Sequence, residues 1–229
     1  MVPSKMKKIQ IIPAILPRDF AEITEKVELV KGFVKNIQID ICDGHFVPSF
    51  TWPYKKHDDS FEKMLKEEEG LPDWQDIDYE FDLMVDKPEA VVDDWVAVGA
   101  TRIIIHAEAK GDVAGAVKSL QGRAEVGLAF NIDTPVQIPA GVDEDEISFF
   151  QLMGIDHVGF QGQDFDDKVI DKIKLAKKNY SNMPISIDGG VSLETAEKLI
   201  AAGADRLVVG SAIFNEENPV DAVMRFKGL

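Results

Sequence analysis

The chain has 229 residues, of which 45% are hydrophobic, and a formal net charge of −16. That is enough apolar material for one sizeable core, and no run approaches the ~20 apolar residues of a membrane span. The charge disfavours nucleic acid as a partner, because phosphate contacts need a basic surface. The only cysteine is Cys42 and the only histidines are at 45, 57, 106 and 157. An internal disulfide and a Cys/His zinc site are both excluded.

In chain order, short β-branched runs alternate with longer amphipathic stretches. The opening is basic and then apolar. Its apolar run is short, broken by Pro13 and without a small-residue cleavage site, so it is read as a first strand rather than a leader, and a cytoplasmic protein with no membrane partner is expected. Strands are predicted over 9–13, 36–41, 79–85, 102–107, 125–130, 147–153, 184–189 and 206–210. Helical patterns cover 19–31, 60–69, 88–98, 112–121, 166–179, 192–202 and 218–226, and the short 131–146 link leaves room only for an abbreviated helix. Such alternation implies a parallel sheet with crossover helices. Eight units in this length favour a single (β/α)₈ TIM barrel, one domain over 1–229. No GxGxxG opens a helix after the first strand, so no nucleotide cofactor is expected.

Two internal echoes, AVGATRIIIHA (97–107) and AAGADRLVVGS (201–211), support repeating units. Gly99 and Gly203 should each end a helix in the left-handed conformation. The acidic segment 57–78 reads as a solvated helix and loop, with part of a lid as the alternative.

Barrel chemistry is built at the C-terminal ends of strands. Those ends deliver Gln38 and Asp40, then Asp82, His106, Asn131, Met153, Asp188 and the Gly210-Ser211 turn. Gln38 and Asp40 are two apart and share a face. A carboxylate in a strand end such as ISIDGG is costly to bury unless paired, protonated or metal-bound. For one Asp alone a capping role is the simpler reading, but three converging carboxylates argue against it. DGGVSLETAEKL places a Gly-Gly turn before a helix with Ser192 as N-cap. With the Gly-Ser turn at 210–211 and the loop VGFQGQDF (158–165), it predicts an anion cup of backbone N–H groups.

These residues resemble a known family. DICDGHFVPSFTW (40–52) is similar to the second-strand motif of ribulose-phosphate 3-epimerases, His-x-Asp-x-Met-Asp-Gly-His-Phe-Val-Pro-Asn. PAILPRDF, FDLMVDKPE, IIIHAEA, GLAFNIDTPV, GFQGQDF, IDGGVSLET and AGADRLVVGSAIF follow in the family's order over essentially the whole chain. The resemblance implies a phosphorylated sugar substrate and epimerisation at C3 of a ketopentose phosphate by two aspartates, Asp40 and Asp188. It implies phosphate contacts from Gly162, Gly189, Gly190, Gly210 and Ser211, and a homo-oligomer.

The chain also departs from the family. The family's two metal-binding histidines are replaced by Gln38 and Asp82, its early Ser by Ala14, and the sixth-strand loop MGIDHVGFQGQ lacks its Pro. The aligned metal set is therefore Gln38, Asp40, Asp82 and Asp188, all oxygen donors, which suits Mg²⁺ or Mn²⁺ better than Zn²⁺. Two alternatives follow from the altered wall: an epimerase or isomerase for another sugar phosphate, and a catalytically silent homologue that binds a phosphorylated ligand. Schiff-base aldolases need a strand-borne Lys that ISFFQLM lacks. Cys42 stands where the decarboxylase and hexulose-phosphate synthase relatives carry the Lys of Asp-x-Lys-x-x-Asp. His106 is expected in a structural hydrogen bond, His45 in ordering its loop, His157 in an exposed turn, and Cys42 as a packed residue. Trp52, Trp74 and Trp95 are expected as core or interface anchors.

Overall fold

The computed structural model describes residues 9–55, 59–160 and 162–229. His57 lies outside them.

Eight strands form, one in each predicted run: β1 (Gln10–Ile15), β2 (Asn36–Cys42), β3 (Asp78–Met84), β4 (Arg102–His106), β5 (Glu125–Phe130), β6 (Phe149–Met153), β7 (Ile185–Asp188) and β8 (Arg206–Val209). Each pairs in parallel with its sequence neighbour. β1 closes the barrel on β8, with Gln10 opposite Arg206 and Ile12 opposite Val208. Closure removes the exposed edges that an open sheet would leave. The protein is a (β/α)₈ barrel.

The helices are α1 (Phe20–Val30), α2 (Ser60–Leu65), α3 (Val92–Ala97), α4 (Val113–Leu120), α5 (Lys168–Asn179), α6 (Leu193–Ala202), α7 (Ser211–Phe214) and α8 (Pro219–Lys227). Short 3₁₀ turns stand at Pro88–Ala90 and Glu144–Glu146, the second in the link after β5 where an abbreviated helix is expected. Local chemistry sets several boundaries. The Asp19 carboxylate caps α1 by accepting from Glu22 N, and Ser192 caps α6 by accepting from Thr195 N. Gly203 ends α6 at φ 117°, and Gly99 follows α3 at φ 103°. α2 stops at Leu65, short of the predicted 60–69. Glu67, Glu68 and Glu69 follow it, and three acids oppose the negative end of the helix dipole.

Strand alternation divides the buried residues into two layers. Ile37, Ile39 and Ile41 of β2 point outward, with Phe81, Leu83, Ile103 and Ile105, into the core between barrel and helices. Ile23, Val27 and Val30 of α1 and Val169, Ile173 and Ala176 of α5 complete that core at helical spacing. Each Val, Ile, Leu or Phe among them, fully buried, contributes on the order of 1.5–3 kcal/mol. Trp52, Phe61, Phe81 and Trp95 stack there with ring centroids 4.6–5.9 Å apart. This aromatic cluster ties α2 to the outer flank of the barrel. Trp74 instead lies on the surface, 64% exposed, which removes the core half of its expected core-or-interface role.

The inner face of the strands is unusually polar. At the N-terminal end Glu80 is fully buried beside Arg206, whose Nη2 donates to Glu80 Oε2. Arg102 Nη1 lies 3.8 Å from the same oxygen, and the Phe149 ring stacks 3.9 Å from the Arg206 guanidinium. At the C-terminal end the inner residues are those of the candidate site.

Candidate active site

The second strand directs Gln38, Asp40 and Cys42 inward because they alternate with the outward isoleucines. β2 then turns sharply. Asp43 Oδ1 accepts from His45 N (2.8 Å) and Phe46 N (2.9 Å), and Asp43 Oδ2 from Asp86 N (2.8 Å). Asp43 therefore orders this loop, which corrects the expectation placed on the His45 side chain; His45 is exposed. Thr51 returns the chain to the strand, donating from Oγ1 to Asp40 O and accepting from Cys42 N, both at 2.8 Å.

β3 and β7 contribute Asp82 and Asp188. One carboxylate oxygen from each of Asp40, Asp82 and Asp188 lies within 4.8 Å of the others. Gln38 binds two of these residues, Nε2 donating to Asp40 Oδ1 (2.8 Å) and Asp188 Oδ2 (2.7 Å). The sequence alone suggests that Gln38 offers its amide oxygen to a metal. Here the nitrogen faces the carboxylates, because ionised oxygens attract the donor end of the amide. Gln38 Oε1 is left buried without a hydrogen-bond partner.

Three carboxylates out of water raise one another's proton affinity. Burial, then the charges of Asp188 and Asp82, raise Asp40 well above the ordinary carboxylate range. Burial, then Asp82, push Asp188 up to about 7. One cation offsets this charge. His106 at the end of β4 is fully buried, with Nε2 3.0 Å from Asp82 Oδ1 and Nδ1 3.7 Å from Glu108 Oε2. Burial works against the imidazolium, but the charge and hydrogen bond of Asp82 and the carboxylate of Glu108 outweigh it and raise His106 to about 10. Its expected structural hydrogen bond is thus a charged one.

The sequence reading missed Gln151 of β6, also fully buried. Its Nε2 lies 3.2 Å from Asp82 Oδ2 and 3.3 Å from Asp188 Oδ2. A signal existed: Gln151 is the one polar residue in FFQLM and shares the face of Met153, which ends the strand.

Above the carboxylates lies a cavity of about 60 Å³. Asp40, Asp188, Gly162, Gly189, Gly190, Gly210 and Ser211 all line it, with Ala14, whereas Gln38 and Asp82 sit behind the lining. Two of the glycines are sterically required. Gly189 has φ 90° and a Cβ there would lie 2.6 Å from Ile155; Gly190 has φ 68° and would meet the Phe165 backbone at 2.8 Å. The cavity is far smaller than the ~300 Å³ of a typical small-molecule site. An apolar group of Cys42, Val47, Met84, Met153, Ile155 and Val158 crowds the same mouth, so a sugar-sized ligand must displace side chains to enter. No described residue of 59–78 lines the cavity, and His157 is exposed on its turn. Cys42 is fully packed, its thiol pushed up to about 12 by burial.

Three carboxylate oxygens gathered within 4.8 Å of one another can converge on a hard divalent cation, whose ligand oxygens at ~2.1 Å lie ~3–4 Å apart. Among the described residues no helix is long and apolar enough to cross a membrane.

A closed parallel barrel with an acidic centre at its C-terminal mouth defines a (β/α)₈-barrel enzyme. The sequence model of the ribulose-phosphate 3 epimerase family matches residues 10–214, and the chain belongs to that family. Ribulose-phosphate 3-epimerase of Bacillus subtilis (strain 168) is 31% identical over 227 residues, covering 96% of this chain and 99% of that protein. Ribulose-phosphate 3-epimerase of Escherichia coli (strain K12) is 30% identical over 217 residues, 92% of this chain and 91% of that protein. Among solved structures, a 3-hexulose-6-phosphate synthase superposes with a TM-score of 0.65 at 20% identity, covering 96% of this chain and 99% of its own. KGPDC from Streptococcus mutans gives 0.66 at 14% identity over 96% of each chain. At those identities the two structures speak for the fold alone.

Proposed function

We propose that this protein interconverts the C3 epimers of a ketopentose 5-phosphate, ribulose 5-phosphate and xylulose 5-phosphate. The observation that carries the reading is the pair Asp40 and Asp188. Both line the cavity, both are bridged by one Gln38 amide nitrogen, and both have raised proton affinity. The reading treats 1–229 as one barrel domain and, on the family resemblance, as the protomer of a homo-oligomer.

The backbone N–H groups of Gly162, Gly189, Gly190, Gly210 and Ser211 bind the phosphate and fix the distance from C5 to the carboxylates. One aspartate, ionised, accepts the C3 proton on a carboxylate oxygen. The other, protonated, returns a proton to the opposite face. Two carboxyl groups this close do not ionise independently, so the site holds one proton between them near neutral pH. Gln38 keeps the pair in place by donating to both. Asp40, Asp82 and Asp188 would hold a divalent cation, Mg²⁺ or Mn²⁺ in preference to Zn²⁺, whose charge would stabilise the enediolate, while the Gln38 amide, turned nitrogen-first to the carboxylates, stays outside the ligand set. The crowded apolar mouth excludes bulk water once the sugar is seated.

The test is solvent-deuterium exchange at C3 of ribulose 5-phosphate, followed by NMR with Mg²⁺, Mn²⁺ or EDTA. Cation-dependent exchange with appearance of xylulose 5-phosphate is the expected result. No exchange under any condition overturns the reading and moves it to another sugar phosphate or to ligand binding alone.

A further inference from the structure

Gln151 is used by neither the fold's apolar core nor the proton-transfer pair, yet it occupies the middle of the barrel. Its carboxamide nitrogen carries two protons. Two carboxylate oxygens lie within reach, Asp82 Oδ2 at 3.2 Å and Asp188 Oδ2 at 3.3 Å. Those oxygens come from β3 and β7, which are not neighbours in the sheet, so the link crosses the interior of the barrel. The opposite amide orientation would aim Oε1 at both oxygens, acceptor against acceptor, so charge fixes the donor orientation. Gln151 Oε1 is left buried and unpartnered, a desolvation cost that an apolar side chain would avoid. The neighbouring inward residue Met153 shows that an apolar side chain is accommodated on this face.

Asp82 is held from both sides. His106 takes Oδ1 and Gln151 takes Oδ2, which leaves one lone pair on each oxygen for the centre. Without Gln151, Asp188 Oδ2 keeps its bond from Gln38 Nε2, but no donor stands between it and Asp82 Oδ2, and like charges at this spacing repel. Asp82, which loses the donor on Oδ2, would turn away from the cation position.

We infer that Gln151 is a positioning residue that separates Asp82 from Asp188 and holds both carboxylates toward the reacting centre. The inference rests on the epimerase reading for its kinetic consequence but not for its structural one. Groups that orient the ligands of a metal centre change cation affinity or turnover by ~10–100-fold when removed.

The experiment compares wild type, Gln151→Met, Asp82→Asn and the double variant. Gln151→Met keeps the length of the side chain and removes both N–H donors. Three measurements are made: thermal unfolding in EDTA, Mn²⁺ affinity by electron paramagnetic resonance, and kcat and KM for ribulose 5-phosphate. Gln151→Met is expected to weaken Mn²⁺ binding ~10–100-fold and to lower kcat by a similar factor, with KM within about twofold because the phosphate loops are untouched. In EDTA, the drop in Tm caused by Gln151→Met should shrink by at least half in the Asp82→Asn background, because the charge that Gln151 separates is then gone. A Gln151→Met variant that folds only together with Asp82→Asn supports the inference in the same way. Equal drops in both backgrounds, or failure of both variants to fold, overturn it and assign Gln151 a packing role. Unchanged Mn²⁺ affinity in Gln151→Met, or no Mn²⁺ binding by the wild type, also overturns it. A wild type that binds Mn²⁺ but does not turn over ribulose 5-phosphate overturns the epimerase reading alone, and the unfolding cycle still decides the part of Gln151.

Discussion

His106 Nε2 lies 3.0 Å from Asp82 Oδ1, with neither side chain exposed to solvent. This contact places a cation among the carboxylates at the C-terminal end of the barrel. It also extends outward, because His106 Nδ1 lies 3.7 Å from Glu108 Oε2. That distance is an ion pair rather than a hydrogen bond. Glu108 Oε1 in turn accepts from Asn131 N at 2.8 Å, which fixes the turn after β5.

Glu108 gives a pH prediction. Burial opposes its ionisation, but His106, Thr134 and the Asn131 N–H outweigh that and lower it from 4.5 to about 2. A depressed carboxylate stabilises the fold above its unfolded pKa and loses that contribution as pH falls through the folded value. The window here runs from about 4.5 down to about 2, and the contribution at pH 7 is ~3 kcal/mol at most. Glu108→Gln should therefore lower stability at pH 7 by ~1–3 kcal/mol and flatten the acid limb of a stability–pH curve. Urea unfolding at a series of pH values measures both. An unchanged acid limb would mean that His106 and Glu108 do not interact in solution.

The two-aspartate arrangement makes a paired prediction. In each of Asp40→Asn and Asp188→Asn one face of C3 keeps its carboxylate, and the Asn still offers an oxygen. Each variant should lose epimerisation by at least ~10²-fold. Each should still wash deuterium into one C3 epimer, and the two variants should act on opposite epimers. NMR of separate ribulose and xylulose 5-phosphate samples in D₂O reads this directly. Exchange into the same epimer by both variants would show that the two residues do not face opposite sides of the sugar.

The polar plug at the other end of the barrel bears on stability and not on turnover. Glu80 is fully buried against Arg206, and Arg206 stacks 3.9 Å from Phe149. Burial pushes Glu80 upward despite its two arginines and pulls Arg206 downward, so both ions are held against their solvation. Breaking such a pair leaves an uncompensated buried charge and costs ~3–5 kcal/mol. Arg206→Met should show that loss in urea unfolding, with KM for the sugar phosphate unchanged. Glu80→Leu combined with Arg206→Met should recover most of it. No recovery in the double variant would mean that the loss came from packing against Phe149.

The strands were legible because parallel strands buried on both faces read as apolar runs, such as RIIIHA and EVGLAF. The place of Asp40, Asp188 and the glycine loops at the barrel mouth was legible for a related reason: a carboxylate or a Gly-Gly at the end of such a run is conspicuous. Orientation was not legible. Gln38 could be read as a ligand, but only the approach of Asp40 and Asp188 turns its nitrogen inward. The partner of His106 depends on the offset between β3 and β4, where Asp82 pairs with Ile104 rather than His106. Gln151 escaped because a single amide in FFQLM gains meaning only from carboxylates 69 and 37 residues away.

Gly189 and Gly190 test the phosphate loop separately from the carboxylates. Both sit at positive φ, where a side chain is strained, and a Cβ would strike Ile155 from Gly189 and the Phe165 backbone from Gly190. A Cβ on Gly189 meets only side-chain atoms of Ile155, though those of a stiff, buried branch, whereas the backbone at Phe165 cannot move without carrying its loop. Gly190→Ala should therefore be the more damaging change, at ~1–3 kcal/mol of stability, and Gly189→Ala the milder one. Both should raise KM for the sugar phosphate, and Gly190→Ala more than Gly189→Ala, because backbone N–H groups bind an anion only while the turn keeps its shape. Asp188 adjoins Gly189, so some loss of kcat is also expected there. Steady-state kinetics with inorganic phosphate as competitor separates the two effects. Inhibition by phosphate should weaken in parallel with the rise in KM, and unchanged phosphate inhibition in Gly190→Ala would place the anion site elsewhere on the mouth.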